Sequence, residues 1–63
     1  MNNNKITHIQ PVTNQTLDSV AESYTLCGWK EIDIIGKTNK IEAIVFEWDA
    51  PGIPVYPVIQ TGH

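Results

Sequence analysis

The sequence predicts one small α+β domain with the element order β-α-β-β, in which a single helix covers an antiparallel hairpin. Two observations carry this prediction: an apolar stripe of helical period in the first half, and two runs of alternating residues around a glycine-containing turn in the second. The 63 residues allow only one domain. We expect a flexible start over residues 1–4, a core domain over 5–50 and a proline-containing C-terminal arm over 51–63.

The first predicted strand covers residues 5–12, which are rich in β-branched side chains. Pro11 lacks a backbone N–H, so it places this strand at a sheet edge or ends it.

The helix is predicted over residues 16–27. Thr16 is a favoured N-cap residue, and Asp18 places a negative charge in the first turn. Gly28 follows directly and suits the left-handed conformation that ends many helices. The apolar residues recur at helical spacing, namely Leu17, Val20, Ala21, Tyr24 and Cys27.

Residues 29–35 and 41–48 alternate between apolar and polar side chains and form the predicted hairpin. Residues 36–40 make its loop, in which Gly36 and Asn39 can adopt positive φ. Pairing across this loop places Ile35 opposite Ile41. One face then carries the apolar patch that the helix covers, formed by Ile32, Ile34, Ile44 and Phe46.

The second face of the hairpin is half apolar, because it mixes aliphatic and acidic side chains. One helix cannot cover both faces, and a small domain rarely exposes such a patch, so this face predicts a partner or a second copy. The sequence places seven residues here: Glu31, Asp33, Ile35, Ile41, Ala43, Val45 and Glu47.

The arm follows a predicted type II turn over residues 49–52, where Pro51 and Gly52 suit the central positions. Pro54 and Pro57 exclude a regular central strand, so the arm is an edge segment or a polyproline-like segment. We expect it to fold back along the sheet edge and to cover Trp48. Whether it packs on its own chain or on a neighbour is left open by the sequence.

Composition excludes several classes of function. The net charge is −3 and the chain has no arginine, which argues against direct nucleic-acid binding. The apolar runs are far shorter than the roughly 20 residues of a membrane span. One cysteine and no signal-peptide core predict a cytoplasmic protein.

The residues that could carry chemistry are few. Cys27 is the one strong nucleophile, but the predicted C-terminal end of the helix disfavours a thiolate, and the apolar stripe makes it a core residue. His8 paired with a carboxylate is the other route to a minimal enzyme. No Cys/His spacing predicts a metal site, and no glycine-rich loop predicts a phosphate site. We therefore expect no enzyme activity, cofactor or metal.

Aromatic residues are the remaining candidates for binding, because amphipathic rings concentrate at interfaces. Trp29, Trp48 and Tyr56 join the second face as predicted interface residues. Core packing is the alternative for both tryptophans. These three rings could also line a pocket between copies for a small anionic ligand such as a nucleotide, although the lysines are sparse.

The stretches "YTLCGWKEIDIIG" and "IEAIVFEWD" resemble small bacterial and phage domains of unknown function, in which an amphipathic helix ends in a Gly-Trp turn before a β-hairpin. The resemblance covers residues 5–48. It implies this fold, frequent oligomerisation and occurrence in phages and mobile elements, and it implies no catalytic residues. Cys27 departs from the acidic or small residue that is commoner there, and the arm has no counterpart.

The sequence thus predicts a non-catalytic protein-binding module that forms a homo-oligomer and docks on an unidentified protein. The resemblance and the composition together extend this to an inhibitor of a host defence factor. An oligomeric small-molecule binder is the alternative, and a minimal enzyme is a third hypothesis.

Overall fold

The computed structural model describes residues 5–58 and confirms the predicted element order. The start at 1–4 and the end of the arm at 59–63 lie outside the described residues, so the predictions made for them stay predictions. The elements are β1 (Thr7–Pro11), α1 (Leu17–Cys27), β2 (Trp29–Lys37) and β3 (Lys40–Trp48).

The three strands form one antiparallel sheet in the order β1-β3-β2, and α1 packs on one of its faces. β1 is an edge strand that ends at Pro11, as the missing N–H of proline predicts. Backbone bonds extend its pairing with β3 at both ends, from the Val12 N–H to the Glu42 carbonyl and from the Trp48 N–H to the Ile6 carbonyl. β3 therefore lies in the centre of the sheet and supplies most of its buried residues.

Helix α1 ends as predicted and begins differently. Gly28 has a φ of 120°, and its N–H bonds to the carbonyls at the last turn. Thr16 precedes the helix but makes no side-chain cap, because its Oγ1 instead accepts the Thr13 N–H at 2.9 Å. Val20 and Tyr24 are buried, which confirms the predicted apolar stripe.

The predicted register of the hairpin is wrong. Ile35 lies opposite Ala43 rather than Ile41, and the connecting turn is only residues 38–39. The two-residue turn pairs Gly36 with Ile41, and a register shift between Ile35 and Gly36 then places Ile35 opposite Ala43. A second shift, in the other strand, lies between Glu31 and Asp33. Gly36 has no positive φ; it is needed because a Cβ there would lie 2.5 Å from the Lys40 carbonyl oxygen.

The shifts also change which β2 side chains face the helix. Ile32 and Ile34 are 46% and 40% exposed, so two members of the predicted core patch lie at its edge or outside it. Trp29 takes their place, because it lies opposite Trp48 and is only 2% exposed. The connected core consists of Val12, Val20, Tyr24, Trp29, Ile44, Phe46 and Trp48.

Candidate functional site

The face of the sheet turned away from α1 is the first candidate site, and we call it the open face. Residues paired directly across strands point to the same side, so the register defines this face as three rows. The rows are Thr7–Glu47–Lys30, Ile9–Val45–Asp33 and Pro11–Ala43–Ile35. Ala43 is buried yet is not part of the core under the helix, which agrees with its place on this side.

The charges of the open face lie in the Thr7–Glu47–Lys30 row and at Asp33, whereas the Pro11–Ala43–Ile35 row is apolar. Ile9 is 55% exposed and Ile35 is 40% exposed, on the two edge strands. Lys30 and Glu47 lie opposite each other in the outer row. A partly exposed apolar area with charges at one end has the general composition of a docking surface.

The membership of this face differs in part from the prediction. The register keeps Asp33, Ile35, Ala43, Val45 and Glu47 on it. Three predicted members are corrected, each by a register shift: Trp29 lies in the core, Glu31 lies opposite Phe46 on the helix side, and Ile41 packs against the core.

Strand β1 supplies the part of the open face that sequence reasoning missed. Thr7, Ile9 and Pro11 alternate along β1 and point to this side. Their alternation is visible in the sequence, but only the pairing of β1 with β3 places them beside Val45 and Ala43.

The second candidate site is formed by the two tryptophans and the arm. The Trp29 Nε1–H donates to the Val55 carbonyl at 2.8 Å, and the Trp48 Nε1–H donates to the Gly52 carbonyl at 3.2 Å. The arm therefore contacts its own chain at Gly52 and Val55, a point that the sequence left open, and it covers Trp48 as expected. Val58 is 87% exposed. Both indole donors are satisfied, which suits rings that are almost fully buried.

Tyr56 and His8 extend this aromatic cluster toward the surface. The Tyr56 ring lies 5.2 Å from the Trp29 ring and 5.2 Å from the His8 ring, centroid to centroid. His8 is half-buried and stacks on Tyr24 at 5.7 Å. The rings of Tyr24, Trp29 and Tyr56 therefore surround the imidazole.

Tyr24 holds the buried end of the cluster. Its ring stacks on Phe46 at 4.3 Å, and its hydroxyl donates to Gln10 Oε1 at 2.6 Å. Burial raises the pKa of the Tyr24 hydroxyl above its ordinary 10.0, and the nearby Tyr56 and Cys27 raise that pKa further when they ionise. This hydroxyl is therefore neutral at physiological pH and acts as a structural donor.

An open depression lies at the far end of the sheet, beside Asn14. The Asn14 Nδ2 donates to the Asn39 carbonyl at 3.0 Å, and its Oδ1 accepts the Ile41 N–H at 2.7 Å. This side chain ties the loop before α1 to the β2–β3 turn. The depression is lined by Val12, Thr13, Asn14, Gln15, Lys40, Ile41 and Glu42.

The chemistry-bearing side chains stay dispersed. Cys27 is a half-buried, free thiol at the last residue of α1. Within residues 5–58, no group of three or more His, Cys, Asp or Glu side chains could hold a metal ion. In the same part of the chain, no helix has the length and apolarity needed to cross a membrane.

Comparison with protein-family models, curated proteins and solved structures finds no match for this chain.

Proposed function

We propose that this chain is a non-catalytic protein-binding module that pairs with a second copy of itself through the open face. The observation that carries the proposal is the exposure of apolar side chains on that face, with Ile9 and Ile35 half-exposed on either side of β3. Two such faces can stack as aligned sheets about 10 Å apart. The stacking would remove both isoleucines from water.

The size of the domain supports a second copy as the occupant. A core of this size rarely supplies more than roughly 3–5 kcal/mol, so chains this short often gain stability from a disulfide, a metal or self-association. The only cysteine is unpaired, and the described residues hold no metal cluster. Self-association is the route to added stability that we propose.

Charge opposes this pairing and makes it sensitive to salt. Each chain carries a net charge of −3, so two copies repel at low ionic strength. Salt screens the repulsion and also favours apolar burial. We expect the dimer to strengthen as salt rises, which is the opposite of an interface held by ion pairs.

The test compares charge insertions on the two faces of the molecule. Ile9→Lys and Ile35→Lys place a cation in the open face at half-exposed edge positions, so the fold should survive. Leu26→Lys is the matched control, since Leu26 is 80% exposed on the helix. Sedimentation velocity should show dimers for the wild type and the control, and monomers for the two open-face variants.

A wild type that stays monomeric at millimolar concentration would contradict the proposal. A Leu26→Lys control that dissociates as much as the two open-face variants would also contradict it. Native mass spectrometry on untagged protein distinguishes this function from the alternative, an oligomeric small-molecule binder. An oligomer with a few hundred extra daltons per site would support a small-molecule binder. Two of the three rings predicted to line that ligand pocket are not free to bind a ligand. Trp29 and Trp48 are buried, and their indole N–H groups already donate to carbonyls of the arm.

The finer role extends this proposal to a cytoplasmic phage or mobile-element protein that docks on a host defence factor and inhibits it. It is supported by the resemblance of residues 5–48 and, for the location, by the free Cys27 thiol. This role stays a prediction until a specific partner is isolated with the wild type and lost with a surface variant.

A further inference from the structure

The two outer strands of the sheet differ in how readily they could pair with a further strand. β1 has five residues and ends at Pro11, which offers no backbone N–H. β2 is longer, with nine residues from Trp29 to Lys37, and residues 30–37 are all exposed. An exposed outer strand of this length is a template for the addition of another strand.

The composition of β2 favours such pairing. Ile32, Ile34 and Ile35 are 46%, 40% and 40% exposed, and β-branched side chains suit a strand. Short segments of high β propensity and low charge are the ones that pair between chains. Asp33 is the only charged residue within 32–36, so it interrupts the part of β2 that is most prone to pair.

The backbone N–H of Ile34 points away from β3, toward the outer edge of β2. Ile34 lies opposite Ile44, and alternate residues of a central strand direct their backbone groups to opposite neighbours. The Glu42 carbonyl and the Trp48 N–H both bond on the β1 side. Ile44 lies two residues from Glu42 in an unshifted register with β1, so it also directs its backbone groups to β1. The Ile34 N–H therefore receives no partner from Ile44.

Asp33 occupies this N–H with its own side chain. The Asp33 Oδ1 accepts the Ile34 N–H at 2.8 Å. A hydrogen bond to an ionised acceptor is stronger than one to a neutral carbonyl. An incoming strand would have to displace the carboxylate and offer a neutral carbonyl in its place.

A β-bulge beside Asp33 adds to the obstacle. Ile32 lies between the pairs Glu31–Phe46 and Asp33–Val45, so β2 has one extra residue there. Bulges twist a strand and are one of the ways in which natural sheets make an outer strand unsuitable for pairing. The bulge and the carboxylate therefore interrupt the exposed edge at the same place.

We propose that Asp33 is an edge guard, whose carboxylate holds the outward Ile34 N–H and keeps β2 from pairing with the β2 strand of a second copy. A second copy is the occupant that must be excluded, because it carries the same exposed isoleucines and two antiparallel copies of β2 are related by a two-fold axis. Without the guard, two copies join edge to edge and form one continuous sheet. The inference concerns the edge of the sheet and does not depend on pairing through the open face.

The test compares two alanine variants that lose the same charge from the same strand. Asp33→Ala removes the guard, and Glu31→Ala is the matched control at an exposed acidic residue. Asp33 also lies on the open face, so both chains carry Ile9→Lys to block association there. In sedimentation velocity, the Asp33→Ala chain should dimerise at a concentration at least about fivefold lower than the control.

Hydrogen exchange of the Ile34 amide shows where the copies pair. This amide should exchange faster in monomeric Asp33→Ala than in the control, and it should slow when the dimer forms. Equal behaviour of the two chains in sedimentation would overturn the proposal. Dimers in which the Ile34 amide still exchanges at the monomer rate would overturn it as well.

If circular dichroism shows that the Asp33→Ala chain does not fold, Asp33→Asn decides, with Glu31→Gln as its control. The amide keeps the shape of the side chain but is an uncharged, weaker acceptor. The Asp33→Asn chain should still dimerise at a lower concentration than its control, and equal dimerisation overturns the proposal. Failure of the open-face proposal would show separately, as a wild type that stays monomeric, and would leave these comparisons valid.

Discussion

Trp29 and Trp48 lie directly opposite each other at the end of the β2–β3 pair, with ring centroids 5.2 Å apart and planes inclined by 69°. This edge-to-face geometry is a favourable one for aromatic pairs. Each indole also donates to a carbonyl of the arm. The pair thus joins the sheet to the arm. A change to either ring should therefore alter both the stability of the sheet and the attachment of the arm.

We expect Trp29→Phe to weaken the attachment of the arm while the sheet stays folded. The change keeps an aromatic ring but removes the 2.8 Å bond to Val55, which should cost about 1 kcal/mol. Urea unfolding measures this cost, and limited proteolysis after Tyr56 measures release of the arm. Trp48→Phe is the matched comparison, and its longer 3.2 Å bond predicts a smaller effect. Equal cleavage of wild type and Trp29→Phe would contradict the role of this bond.

Gly36→Ala should destabilise the end of the hairpin through a steric clash. The added Cβ would meet the Lys40 carbonyl oxygen at 2.5 Å and the Ile41 Cα at 2.9 Å, both backbone atoms that cannot swing away. We expect a loss of about 2 kcal/mol or more in the free energy of unfolding.

Gly52→Ala is the control for this steric argument. Gly52 has a φ of 90° with open space around it, so alanine there meets conformational strain alone. That strain should cost about 1–2 kcal/mol, less than the clash at Gly36. A larger loss at Gly52 than at Gly36, measured by denaturant midpoints, would show that close backbone approach is not what requires glycine in β2.

Asn14→Ala should destabilise the fold by about 1–2 kcal/mol, because both functional groups of the Asn14 amide bond to backbone around the β2–β3 turn. Gln15→Ala is the neighbouring control at an exposed position. Hydrogen exchange of the Ile41 amide gives a local readout and should accelerate only in the Asn14 variant. Unchanged exchange at Ile41 would show that the bond contributes little.

The raised pKa of Tyr24 predicts a loss of stability at alkaline pH. Since the folded pKa lies above the unfolded value of 10.0, the unfolded chain releases this proton first as pH rises. The contribution is fully present below pH 10.0 and is lost progressively above it. Thermal unfolding followed from neutral pH to about pH 11 measures the slope. Tyr24→Phe should be less stable at neutral pH, since it lacks the bond to Gln10, and should show a shallower alkaline decline.

The candidate sites were predictable from the sequence in different degrees. The half-apolar second face was foreseen, and five of its residues lie where alternation placed them. Trp29, Glu31 and Ile41 were misplaced because each lies beyond a register shift, and such a shift reverses which side a residue faces. No local pattern in the sequence indicates the positions of these register shifts.

The aromatic cluster beneath the arm depends on contacts between residues far apart in the chain. His8, Trp29 and Tyr56 come from β1, β2 and the arm, and their rings meet only once the sheet has formed. The period of three in the arm's prolines is present in the sequence. The two indole bonds to the arm, at Gly52 and Val55, form only in the folded sheet.

The sequence by itself determined the elements of this protein. Helical spacing, the terminating Gly28 and two alternating runs specify one helix and a hairpin, because these signals act over a few neighbouring residues. The tertiary structure alone decided that β3 is central, that Trp29 is buried and that Ile9 joins the open face. Strand order and register depend on contacts between distant segments, which balance packing, bulges and close backbone approach across the whole sheet.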